Sequence, residues 1–363
     1  MTGLDTAPPF RNNSRVPPHP IEQHELLTSL LRDVSRSFYL TLRVLPAAVR
    51  PQIGLAYLLA RATDTIADTG LVSVERRLAA LAELRAAILD KNSLATKSPP
   101  DFGELAGAQP VPAGQGSSGE RLLLERLGDV LALLRETSPS DRALIRAVLD
   151  TITSGQTLDL QRFGAANAER IVALQTNAEL DDYTYRVAGC VGEFWTKMCR
   201  AHLFPDAPLD NAAFLTDGVR FGKGLQLVNI LRDLPRDLRQ GRCYLPANLL
   251  AQSGLEPAEL LSPASAPKLG MLFCYYLALA ESHLAAGWNY TNTIPREQMR
   301  VRLACAWPIL IGAKTLKKLG TGNVLEPTQR IKVSRAEVRG IIFQTVLRYP
   351  FATTWKNLFE QPH

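Results

Sequence analysis

Four aspartates, set as two pairs, are the residues of this sequence best suited to do chemistry. Asp64 and Asp68 lie in RATDTIAD, and Asp233 and Asp237 lie in NILRDLPRD, each pair spaced by four positions. On a helix of about 3.6 residues per turn that spacing sends both carboxylates off one face. Two like charges so placed destabilise a helix unless a cation lies between them. Each pair has an arginine beside its first member: Arg61 three residues before Asp64, and Arg232 immediately before Asp233. Paired carboxylates can share a proton for acid–base work or hold a hard divalent cation such as Mg²⁺. A neighbouring guanidinium keeps them ionised, which argues against proton sharing. Metal plus arginine is what a diphosphate leaving group needs, because charge must be neutralised as its bond to carbon breaks. One such pair alone is more often a solvated face. Two, both in apolar stretches, point to a diphosphate site.

The elements that must carry these residues read as helices. Before the first pair, Pro51 suits a first helical turn, and Ile53, Leu55, Ala56, Leu58, Leu59 and Ala60 are apolar around the whole circumference. Such a helix is expected to be buried, so its charges must face a cavity, a metal or a counter-charge. The second pair lies in a helix that ends at Arg239-Gln240-Gly241, a C-cap signature. Pro235 falls between its two aspartates and is expected to kink or unwind the helix locally. Four-residue spacing still lets both converge on one ion.

Elsewhere, Leu26, Leu27, Leu30, Leu31 and Val34 recur at three and four, ahead of Ser35-Arg36-Ser37-Phe38. Those serines either cap a helix or contact phosphate. Helices are expected at 73–91, 120–137, 139–163 (carrying Gln156, Asp159 and Gln161), 268–291 and 301–319, with a last one in IKVSRAEVRGIIFQTVL. Gly189 and Gly192, three apart, let a neighbouring helix or a ligand approach closely. Period-two alternation is nearly absent, so the chain is expected to be all-α.

The 363 residues are 46% apolar and 21% charged, enough for a sizeable core in one large domain or two smaller ones. Residues 1–22, with Pro8, Pro9, Pro17, Pro18 and Pro20, read as a disordered or loosely docked tail without the apolar core of a signal peptide. Residues 23–350 read as one domain, with 92–119 as a Pro-, Gly- and Ser-rich surface insertion and 351–363 as a C-terminal tail. A net charge of +6, with both signs interspersed, suits an anionic ligand or membrane surface, and no nucleic-acid signature is present. Five scattered cysteines without a C-x-x-C pair indicate neither disulfides nor zinc, and a reducing cytosol is the expected home. No run is expected to reach the ~18 apolar residues of a spanning helix, so any membrane contact would be peripheral, at the inner face. A monomer is the simplest expectation.

Four segments together resemble the squalene/phytoene synthase family of head-to-head trans-prenyltransferases: SRSF (35–38), RATDTIAD (61–68), YTYRVAGCVG (183–192) and QLVNILRDLPRDLRQGRCYLP (226–246). The resemblance runs over roughly residues 30–345. It implies a single all-α bundle of the isoprenoid-synthase type around a central cavity. Asp64, Asp68, Asp233 and Asp237 would bind Mg²⁺, or Mn²⁺, and the diphosphates of two prenyl diphosphates from opposite walls. The implied reaction joins two farnesyl diphosphates 1′–1 through a cyclopropyl intermediate, presqualene diphosphate. By the same resemblance Tyr183 serves the first half-reaction as proton acceptor or cation stabiliser. Ser35, Arg36, Ser37, Phe38, Arg61, Gln226, Asn229, Arg232 and Arg242 would contact substrate.

Residues 301–319 and the IKVSRAEVRG segment look like the C-terminal region of the squalene-forming branch. That branch reduces the rearranged cation with NADPH, and Lys317, Lys318, Lys332 and Arg335 would meet the cofactor phosphates; a solvated basic face is the alternative. Phytoene and dehydrosqualene synthases, which omit the reduction, and enzymes stopping at presqualene diphosphate are the competing branches. A non-catalytic relative and a membrane-surface helical protein remain as other classes. Ala67, Thr69 and Arg236 stand where squalene synthases usually carry further acids, which puts metal load and substrate choice in question. No G-x-G-x-x-G follows a strand, so NADPH has no nucleotide-fold signature here.

Overall fold

The computed structural model describes residues 26–35, 39–70, 72–89, 118–326 and 331–359. The expected tail 1–22, most of the 92–119 insertion, and Arg36, Ser37 and Phe38 lie outside them. Within the described residues the regular elements are helices, apart from one two-residue parallel pairing of Val172–Ala173 with Arg242–Cys243 and an isolated antiparallel bridge between Asn167 and Arg170.

Helices Arg50–Asp68, Val74–Leu89 and Pro139–Phe163 pack together on one side, around a core that includes Leu55, Leu58, Ile66, Leu81, Leu84, Ile145 and Leu149. Helices Asn211–Arg239, Ala266–Thr293 and Met299–Thr321 form the other side, around Leu231, Leu234, Tyr276, Leu284, Ile309 and Leu310. Helix Cys190–His202 links the halves: Cys190, Phe194 and Met198 belong to the first core and Cys199 to the second. The helix starts follow from local chemistry. Ser138 caps Pro139–Phe163 by accepting from the Asp141 amide at 3.2 Å, and Asp210 caps Asn211–Arg239 by accepting from Ala212 and Ala213 at 3.0 and 3.1 Å.

Three sequence expectations meet a different outcome. Pro235 leaves Asn211–Arg239 one uninterrupted helix of 29 residues, with Pro235 inside it near the C-terminal end. The last turn runs to Gln240, and Gly241 takes the left-handed φ of 80° that ends it. Residues 351–359, set apart as a tail, dock through their aromatics: Trp355 and Leu358 are buried, Trp355 stacks on Trp288 at 5.3 Å, and Trp288 Nε1 donates to the Lys356 carbonyl at 3.0 Å. One helical stretch, Pro263–Thr293, is long and apolar enough to cross a membrane by length and composition, contrary to the expectation that no run would reach that length. Its Leu269, Leu272, Phe273, Tyr276, Ala280 and Leu284 face the core instead.

Gly192 is the tightest point between the halves. A Cβ there would meet the Gly218 carbonyl oxygen at 1.9 Å, and one at Gly222 would meet the Ala188 carbonyl oxygen at 2.2 Å. Glycine spacing read from Gly189 and Gly192 therefore serves close packing against the 211–239 helix. Gly192→Ala is expected to cost about 2 kcal/mol or more by forcing those backbones apart. Gly340→Ala, on an exposed helical site with nothing within 4 Å of the new carbon, is expected to stabilise by about 0.5–1 kcal/mol. Chemical denaturation of the two variants checks the contrast.

Candidate active site

The two aspartate pairs open onto one cavity of about 310 Å³. Asp64, Ala67 and Asp68 come from the 50–68 helix, and Gln226, Asn229, Ile230, Asp233 and Asp237 come from the 211–239 helix. Ile152, Gln156, Asp159 and Leu160 of the 139–163 helix close a third wall. Tyr183, Val187, Arg242 and Tyr244 complete the lining. Each side chain arrives by ordinary periodicity. Residues 226, 229, 230, 233 and 237 recur at three and four, so one stripe of a single helix supplies all five. Asp237 stays on that stripe because Pro235 does not break the helix.

The short strand pairing places Arg242 and Tyr244. Val172 N donates to Gly241 O at 2.8 Å and Leu174 N donates to Cys243 O at 3.0 Å, holding this stretch extended. Alternate residues of an extended chain face opposite ways. Arg242 and Tyr244 thus reach the cavity while Cys243 and Leu245 are wholly buried behind them. Tyr244 stacks on Tyr183 with centroids 4.7 Å apart, and its hydroxyl donates to Asp159 at 3.3 Å. The Arg242 guanidinium stands 3.6 Å from Asp159.

The arginines beside the pairs are engaged. Arg232 grips Asp233 bidentately, Nε to Oδ1 at 2.9 Å and an Nη to Oδ2 at 2.6 Å. Arg61 donates to Asp64 and also to Glu120, a nearly buried carboxylate from helix Ser118–Glu125. Even so, negative charge is in excess. Burial, reinforced by the charge of Asp233, pushes Asp237 up to about 7 against the pull of Arg236 and Arg242. Burial and then Asp68 push Asp64 up to about 6 despite Arg61, and burial pushes Asp159 up to about 6 despite Arg242 and the Tyr244 hydroxyl. Tyr183 is held well above its ordinary value, first by burial and then by Tyr244 and Asp159, so it stays a neutral phenol.

Of the residues singled out from sequence, the four aspartates, Tyr183, Gln226, Asn229 and Arg242 line the cavity, while Arg61 and Arg232 stand behind it as ion-pair partners. Ser35 is buried, does not line the cavity, and its Oγ has no partner among the described residues. Lys317, Lys318, Lys332 and Arg335 are not in the lining; Lys318 is bound to Glu337 at 2.9 Å. Glu120 carries no signal in the sequence, Tyr244 stands there only as a neighbour of Arg242 in GRCYLP, and Gln156 and Asp159 are noted there without a role. Their signal was present in SGQTLDLQRF, where a carboxylate and an amide sit three apart in an otherwise amphipathic helix. Without knowing which helix faces the aspartates, that pattern is common to any solvated face. Of the positions that depart from the family's acidic pattern, Ala67 presents a methyl group to the cavity and Arg236 faces solvent.

The sequence model for squalene/phytoene synthases matches residues 31–337. The chain belongs to the squalene/phytoene synthase family. It is 31% identical to the presqualene diphosphate synthase of Zymomonas mobilis over 268 residues, covering 72% of this chain and 73% of that protein. It is 30% identical to the bifunctional lycopene cyclase/phytoene synthase of Blakeslea trispora over 243 residues, 66% of this chain. The chain spans only 35% of that bifunctional protein, and 42% and 50% of the bifunctional lycopene cyclase/phytoene synthases of Sporisorium reilianum and Colletotrichum graminicola. The fold matches the ligand complex of TcSQS at a TM-score of 0.72 and 21% identity, covering 92% of this chain and 89% of that one.

The raised carboxylates set a pH dependence. A carboxyl whose folded value lies above its unfolded value stabilises the fold below the unfolded value and loses that contribution as pH rises through the folded one. In chelator-treated protein, stability is expected to fall from about pH 4 to pH 7 through Asp64, Asp159 and Asp237. Asp237→Asn is expected to flatten the upper part of that slope and to raise Tm at pH 8, read by thermal denaturation across the range.

Proposed function

We propose that this chain condenses two farnesyl diphosphates head to head, through presqualene diphosphate, and reduces the product to squalene with NADPH. The observation that carries the condensation is the facing of two Asp-x-x-x-Asp pairs across one cavity with Asp159 between them. Among the described residues five carboxylates and one arginine line the cavity, a balance that favours a diphosphate entering with cations. The residues fit Mg²⁺ in that role. Among the described residues no three acidic, His or Cys side chains converge tightly enough to hold an ion alone, so substrate oxygens and water would have to complete its shell. Gln156 Oε1, buried with no hydrogen-bond partner among the described residues, offers one more oxygen at the same cavity. Bound Mg²⁺ or Mn²⁺ would neutralise the departing diphosphate.

The chain's own groups do the rest. Arg61, Arg232 and Arg242 stand at the two walls, where a guanidinium can shift from carboxylate to diphosphate oxygens. Asn229 and Gln226 lie on the stripe with Asp233 and can orient the second substrate. The stacked faces of Tyr183 and Tyr244 offer π density to an allylic cation, and the Tyr183 hydroxyl can accept a proton as it passes its own to the Tyr244 hydroxyl, which in turn donates to the Asp159 carboxylate. Ile152, Leu160, Val187 and Ile230 keep water from the cation.

Reduction to squalene rests on the likeness of 301–319 and 331–340 to the squalene branch. Lys317, Lys332 and Arg335 are exposed and would meet the phosphates of NADPH, which when bound would supply the hydride. A second reading stops at presqualene diphosphate or proceeds to a phytoene-type product without reduction. The engagement of Lys318 by Glu337 and the names of the curated relatives favour it. Purified protein given farnesyl diphosphate and Mg²⁺ separates the two. Squalene formed only with NADPH supports the first reading, and presqualene diphosphate unchanged by NADPH supports the second. Asp64→Asn and Asp233→Asn are each expected to lower kcat at least a hundredfold. Asp159→Asn is expected to lower it at least tenfold; unchanged turnover in all three would remove the cavity from the chemistry.

A further inference from the structure

Among the described residues, helix Arg335–Arg348 is held to the body of the protein by one face. Ile341, Thr345 and Tyr349 are buried beneath it, and Trp307 Nε1 of the 299–321 helix donates to Thr345 Oγ1 at 2.9 Å. Its start is pinned by a capping box, Ser334 with Glu337, and Lys318 and Lys314 close on the same Glu337. The helix is therefore rigidly seated. Its opposite face is apolar and open: Phe343 is 66% exposed, Leu347 59%, Val346 44%, and Phe351, just beyond the helix end, 63%. Residues 343, 346 and 347 recur at helical spacing, so they form one continuous strip. Scattered exposed apolar side chains are unremarkable, but a run of large ones on one seated helix is a contact surface.

The charges around the strip say what kind of contact. Residues 331–363 contain Lys332, Arg335, Arg339, Arg348 and Lys356 against two acids, Glu360 and Glu337, the latter already paired with lysines. Arg335 and Arg339 lie on the same side of the helix as Phe343, one and two turns before it, and are exposed. A basic end running into an apolar strip is the pattern of a helix lying in the plane of an anionic bilayer, with cations at the phosphates and rings among the upper acyl chains.

We propose that the 335–351 face docks the protein peripherally on membranes rich in anionic lipid. The docking does not depend on the proposed reaction, since it uses none of the cavity residues. It would also leave an enzyme of water-insoluble products beside the phase that accepts them.

Co-sedimentation of the full chain with vesicles tests this directly. Phosphatidylcholine vesicles containing 40% (roughly) phosphatidylglycerol are expected to bind the protein at least tenfold more strongly than pure phosphatidylcholine, and 0.5 M (about) NaCl is expected to abolish most of the difference. Phe343→Ser combined with Leu347→Ser is expected to lower binding at least tenfold while Tm and turnover of farnesyl diphosphate in vesicle-free buffer stay unchanged. Arg339→Glu is expected to weaken binding to anionic vesicles without altering the weak binding to neutral ones. Equal binding to both vesicle types, or full binding by the double variant, would overturn the proposal. So would a wild-type dimer in sedimentation velocity that the double variant converts to monomer, because the strip would then be covered by a second copy.

Discussion

Negative charge enclosed by apolar helices is the constraint on which the rest of this structure depends. Asp64, Asp68, Asp159, Asp233 and Asp237 face one cavity, and among the described residues only Arg242 answers them from its lining. Two more arginines act from behind, Arg61 on Asp64 and Arg232 on Asp233. The imbalance is visible in three carboxyls displaced upward by burial and by one another. Such a cavity is a poor home for a bare anion and a good one for an anion that brings cations with it. Stability is given up locally so that charge can be bound.

Holding that arrangement requires a scaffold with little slack. Gly192 and Gly218 bring the 190–202 and 211–239 helices into backbone contact, and Gly222 repeats the approach against Ala188. The walls meet at a distance set by main chain rather than by side chains that could repack. At the cavity's edge the two-residue strand pairing turns Arg242 and Tyr244 inward together. Asp159 then joins both of them to the third wall, at 3.6 Å and 3.3 Å. Arg61 performs a similar service at the first wall, linking Asp64 to Glu120 on a separate helix.

Membership of the squalene/phytoene synthase family explains why two such walls exist, and the departures show where this chain differs. Ala67 leaves a methyl group in the cavity lining, and Arg236 projects to solvent beside Asp237. Neither position adds an acid to the cavity, whose fifth carboxylate, Asp159, comes from the 139–163 helix. Outside the cavity, Glu337 ties Lys314 and Lys318 to the start of the 335–348 helix. One carboxylate thus caps a helix and anchors it to the preceding one.

Local patterns were enough to read the helical class, the approximate extent of most helices and the four aspartates, because spacing at three and four and Asp-x-x-x-Asp are properties of neighbouring residues. Gly241 as a helix end was legible for the same reason. What needed the tertiary structure was anything set by residues far apart in the chain. Asp159 acquires meaning only from Arg242 and Tyr244, more than 80 positions away, and Glu120 only from Arg61, 59 positions away. Pro235 read as a break because a proline removes one backbone bond, yet packing on Leu231, Leu234 and Leu238 keeps the helix whole. The pairing of 172–173 with 242–243 left no period-two signal, since two residues are too few to alternate. The sequence by itself determined which groups could bind a diphosphate; only the fold decided that they face one another, because that depends on which helices touch.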